Sequence, residues 1–142
     1  MLTQEAVAAA LALAGIRTGA HVLDLAPGAG LTRAARAMAG VGGRVYSADE
    51  EEPQGPAVRY GYAIAVWTDR SAVTVVEDVE SARTSLAPYA RVTMGSGGSL
   101  AALVDELRAF GWTVLHGTTV SDAELDRSPP RNLALVVARA PE

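Results

Sequence analysis

The ten residues His21 to Gly30, HVLDLAPGAG, constrain the fold of this chain more than any other stretch. Val22, Leu23 and Leu25 make the short apolar run of a buried strand. The run then meets an acid, Asp24, and Pro27-Gly28-Ala29-Gly30, where the backbone must turn sharply before a helix starting near Leu31 or Thr32. A strand, tight turn and helix in this order have a physical use. Glycines let a ligand approach the main chain closely, and the helix start offers unpaired N–H groups and the positive end of a dipole. Arg44 to Asp49, RVYSAD, supplies a second strand ending in a carboxylate, placed to accept hydrogen bonds from two ribose hydroxyls.

Composition sets the class. A chain of 142 residues that is 49% apolar, mostly Ala, Val and Leu, predicts one α/β domain with helices packed closely on a sheet. Acids outnumber bases by 16 to 12 and the bases are scattered, so the electrostatic footprint of a nucleic-acid binder is missing and a small-molecule partner fits better. With no cysteine there is no disulfide, thiolate metal site or cysteine nucleophile, which suits a cytoplasmic protein. The apolar stretch Ala6 to Ala14 follows Thr3-Gln4-Glu5 with no positive charge and is too short to span a bilayer, so no membrane role is expected.

Along the chain, Thr3 caps a helix that Gly15 ends, with Glu5 in its first turn. Leu31 to Ala39 is a second amphipathic helix. Gly61 to Asp69, GYAIAVWTD, reads as a strand buried on both faces, and its end places Trp67, Thr68 and Asp69 where ligand crevices form in parallel sheets. Ala72 to Val76 reads as extended or loop, Glu77 to Leu86 as a helix closed by Pro88, and Arg91 to Met94 as a strand. Gly95 to Ser99 reads as a loop, with Ser99 capping the helix Leu100 to Phe110. Trp112 to Val120 and Asn132 to Ala140 are the last strands.

Val22 to Asp49 resembles the cofactor-binding half of class I S-adenosylmethionine-dependent methyltransferases, whose first motif often runs D-L-G-P-G-T-G. Here the motif is Asp24-Leu25-Ala26-Pro27-Gly28-Ala29-Gly30, with Ala26 where the first glycine usually stands, a mild change if its φ is negative. The resemblance implies a Rossmann-like three-layer sandwich: a mostly parallel sheet of six or seven strands closed by a C-terminal antiparallel hairpin. It implies S-adenosylmethionine as cofactor, held by Asp24, Ala26, Pro27, Gly28, Gly30, Asp49 and Trp67, with Asp24 near the methionine amino group. Asp69 is then the position for a catalytic base, and Tyr60 and Tyr62 candidates for shaping the acceptor pocket. A nicotinamide cofactor fits less well, because Arg33 stands where its motif wants a third small residue. His21 and His116 pair with no Ser and Asp, and make no metal site with the dispersed acids.

The sequence departs from the family after Asp49. Only Glu50 to Tyr60 lies where a helix, a third strand with its adenine-side acid and another helix usually stand, and Pro53, Gly55 and Pro56 disfavour a long helix there. The second strand is then left at an open edge, which invites a homodimer. Two functions are therefore carried forward: methyl transfer to a small-molecule acceptor, and a methyltransferase-like domain without that chemistry, serving as a binding or partner subunit or catalysing another reaction such as a cyclisation.

Overall fold

The computed structural model describes residues 2–47, 59–122 and 131–142. In chain order they form α1 (Gln4–Ala14), β1 (His21–Asp24), α2 (Thr32–Ala39), β2 (Arg44–Ser47), β3 (Tyr60–Val66), α3 (Ala72–Ser81), β4 (Leu86–Gly97), α4 (Leu100–Ala109), β5 (Thr113–Asp122) and β6 (Arg131–Arg139), with short 3-10 turns at Pro27–Ala29 and Arg83–Ser85. The strands make a six-stranded sheet in the order β2-β1-β3-β4-β6-β5. β1 is parallel to β2 and β3, and β3 to β4. β6 runs antiparallel to both β4 and β5, so it alone is reversed. The mostly parallel sheet with a C-terminal antiparallel hairpin is therefore present.

Alternation along the strands builds the three layers. Val22, Ile64, Val66, Leu133 and Leu135 pack under α1 and α2, while their neighbours Leu23, Ala63, Ala65, Ala134 and Val136 pack under α3 and α4. Strands covered on both faces must be apolar throughout, as β3 is from Ala63 to Val66. α1 lies flat on the sheet because its buried stripe is Ala6, Ala10 and Ala14, side chains small enough for close approach. Its start is capped by Thr3 Oγ1, which accepts from the Ala6 N–H at 3.0 Å, and its end by Gly15 at φ 57°. Arg91 of β4 secures the last turn, donating to the carbonyls of Leu13 at 2.9 Å and Ala14 at 3.0 Å.

Four local expectations are corrected. Residues Ala72 to Val76 are the first half of α3, because Ala72, Val75, Val76 and Val79 form a buried stripe at helical spacing and Ser71 caps it. The helix stops at Ser81, and Leu86 already belongs to β4. β4 extends well beyond Arg91 to Met94. Tyr60 pairs with Leu86 and Tyr62 with Arg91, so Ala87 to Ala90 bulge out, with Pro88 where no ladder N–H is required. Gly95 to Gly97 are the end of this strand and not loop. Among the described residues no helix is long and apolar enough to cross a membrane.

Candidate functional site

Because β1, β3 and β4 run in one direction, their carboxyl ends meet at one pole of the sheet. The strands are bonded to that end: Leu25 N–H donates to Ile64 O at 2.8 Å and Trp67 N–H to Gly95 O at 3.1 Å. The glycine turn leaves β1 there. Ala26 has φ −129°, so the first glycine's place does not demand the left-handed backbone that would exclude alanine. Pro27 opens a single 3-10 turn, and Gly30 closes it at φ 88°, a conformation that glycine alone adopts without strain. Gly28 is exposed, and a Cβ built on it would meet nothing within 4 Å. The turn therefore presents bare backbone to open space.

Asp24 lies beneath this turn with no solvent exposure. Its Oδ1 accepts from the Ala26 N–H at 3.0 Å and its Oδ2 from Thr32 Oγ1 at 2.5 Å, tying the end of β1 to the first residue of α2. The carboxylate is thus part of the turn's own frame. In the register of β1 on β2, Ser47 stands opposite Asp24. Asp49, the expected ribose partner, lies outside the described residues.

At the same pole, at the ends of β3 and β4, is a cleft of about 640 Å³. Thr68, Asp69, Arg70 and Ser71 form one wall, Gly97, Gly98 and Ser99 another, and Asn132 at the start of β6 a third. Gly97 N–H donates to Arg70 O at 3.0 Å and stitches the first two walls together. Ser71 and Ser99 are also helix caps, their Oγ atoms accepting from Thr74 N–H at 3.3 Å and Ala102 N–H at 3.1 Å. Asp69 and Asn132 are exposed to the cleft. Trp67 is half-buried against the core under α3 and α4, and the Arg70 guanidinium sits over its ring, 4.4 Å from the centroid, while pairing with Asp78.

The structure therefore gathers Thr68 and Asp69 in the cleft and places Trp67 beneath Arg70. Tyr60 and Tyr62 do not join them. Both sit in the first half of β3, and at about 3.3 Å per residue the cleft is roughly 20 Å beyond Tyr62 and roughly 26 Å beyond Tyr60. Tyr60 is buried with its ring edge-on to Tyr46 at 5.5 Å. Arg70 and Asn132 are cleft residues that sequence reasoning missed. Asn132 reaches the cleft only because β6 is reversed, which brings its first residues to the pole where the parallel strands end. The signal for the two capped loops was a serine followed by a helix after each central strand. Among the described residues no cluster of His, Asp or Glu could hold a metal ion.

No protein-family model and no curated protein matches the sequence. Solved structures do match its fold. TrmN from Thermus thermophilus superposes with a TM-score of 0.67 at 18% identity, over 94% of this chain and 47% of that one, so the present chain spans under half of that protein. Precorrin-6y C5,15-methyltransferase from Geobacter metallireducens GS-15 superposes at 0.65 and 13% identity over 100% of this chain and 90% of that one. The [4+2]-cyclase SpnF superposes at 0.57 and 14% identity over 96% and 80% of the two chains. With its strand order, its glycine turn after β1 and its reversed β6, the chain has the class I S-adenosylmethionine-dependent methyltransferase fold.

Proposed function

We propose that this domain binds S-adenosylmethionine and transfers its methyl group to a small-molecule acceptor. The observation that carries the reading is the unobstructed space over Gly28, at the same pole as the cleft. A cofactor held against backbone needs such an opening, and here a side chain at the second glycine position would fill it. S-adenosylmethionine supplies a methyl group already activated by its sulfonium, so the protein's task is alignment and exclusion of water.

The chain's own residues divide that task. Ala26, Pro27, Gly28 and Gly30 offer the backbone against which the cofactor rests, and Asp24 holds that backbone in shape from below. Asp49 is assigned to the ribose hydroxyls, and Trp67, whose indole face Arg70 covers, to supporting the wall at the cofactor's reacting end. Asp69 stands in the cleft where an acceptor's departing proton can be taken, a role needed only for acceptors that must lose one. The cleft volume falls in the usual range for small-molecule sites, about 300 to 1,000 Å³.

Titration calorimetry with S-adenosylmethionine and S-adenosylhomocysteine tests the reading. Micromolar binding of both, weakened at least about tenfold by Asp49→Ala, is expected. Silence for both ligands would overturn it in favour of a domain that keeps the fold without methyl transfer.

A further inference from the structure

The chemistry of the cleft narrows the acceptor. Its lining consists of Thr68, Asp69, Arg70, Ser71, Gly97, Gly98, Ser99 and Asn132, without an aliphatic or aromatic wall. Two nearby groups would ordinarily recruit other ligands. The indole face of Trp67 would stack a flat apolar ring, and the Arg70 guanidinium would bind a carboxylate or phosphate. Each is occupied by the other: Arg70 covers the indole at 4.4 Å, and its charge is paired with Asp78. The hydroxyl oxygens of Ser71 and Ser99 accept hydrogen bonds from their own helices, so the first turns of α3 and α4 are internally capped.

Of the charged groups that line the cleft, the Asp69 carboxylate is the one without a counter-charge among the described residues. Asp69 has no hydrogen bond or ion pair with any described residue and is exposed, whereas the Arg70 guanidinium is engaged by Trp67 and Asp78. We infer that the cleft takes a polar small molecule bearing a protonated amine, held by the Asp69 carboxylate, and that Arg70 sets this preference by covering Trp67 and being neutralised by Asp78. That this molecule is the methyl acceptor rests on the methyl-transfer reading above; the recognition itself does not.

The test is ligand-observed NMR on the whole chain, with and without S-adenosylhomocysteine. Paired probes of similar size are used: ethanolamine against glycolate, and tyramine against 4-hydroxyphenylacetate. Amines are expected to bind and carboxylates not to. Asp69→Asn is expected to weaken the amines at least about tenfold, with the melting temperature and S-adenosylhomocysteine binding unchanged. Asp78→Ala, which frees the Arg70 charge, is expected to let the carboxylates in. Carboxylates bound more tightly than amines by the unaltered protein, amine binding indifferent to Asp69→Asn, or no amine binding at all would overturn the inference. Should amines bind while S-adenosylhomocysteine does not, the methyl-transfer reading falls and the cleft assignment stands. The reverse result separates them the other way.

Discussion

Thr32 Oγ1 donates a hydrogen bond to Asp24 Oδ2 at 2.5 Å, joining the first residue of α2 to the last residue of β1 across the glycine turn. The bond is made to a carboxylate with no solvent exposure, so little water can replace it. Thr32→Val, nearly equal in shape, is expected to lower stability by about 1 to 3 kcal/mol. Urea unfolding followed by circular dichroism measures it; a midpoint equal to that of the unaltered chain would show that the bond contributes nothing.

The two glycines of the turn are expected to separate binding from folding. Gly28→Ala adds a methyl group where nothing lies within 4 Å, so stability should stay within about 0.5 kcal/mol while affinity for S-adenosylmethionine falls. Gly30→Ala forces alanine to φ 88° and should lower stability by about 1 to 2 kcal/mol. Thermal melts and calorimetry on both variants check the pair.

Arg91 holds the carbonyl end of α1 from a strand 77 positions away in sequence. Arg91→Met keeps the aliphatic stem but removes both donors, with an expected loss of about 1 to 3 kcal/mol. Amide exchange should accelerate in the last turn of α1 and stay unchanged in α4; equal acceleration in both would point to a global effect instead.

Among the described residues β2 pairs only with β1 and lies at an edge of the sheet. We expect two copies of the chain to join along this edge, which satisfies backbone groups that one copy leaves at the rim. Light scattering across a concentration series should show a dimer, and a monomer at millimolar concentration would count against it.

Much of the fold was legible because local chemistry and tertiary packing agree. Thr3 and Gly15 bound α1 as their side-chain and backbone preferences require, and the apolar run before Pro27-Gly28 is a central strand. The misreadings come from conflict between local and tertiary preference. Ala72 to Val76 is rich in β-branched valine, which favours extended chain, but its buried residues recur at helical spacing and packing against the sheet prevails. Gly95 looked like loop. In β4 it is required because a Cβ there would lie 2.7 Å from Val66 Cγ1 and 3.0 Å from Leu135 Cδ2. Of the candidate site, the turn and the place of Asp69 just beyond a buried strand could be read from the sequence. Arg70 over Trp67 and the arrival of Asn132 could not, since one depends on side-chain direction and the other on the reversal of β6.

Two walls of the cleft are built from the serines that start α3 and α4. Reshaping the ligand preference at Ser71 or Ser99 therefore loosens a helix in the same stroke, whereas Thr68, Asp69 and Asn132 carry no such second duty. Variation in what this domain accepts should accumulate at those three positions, leaving the serines fixed as the hinges of an otherwise adjustable mouth.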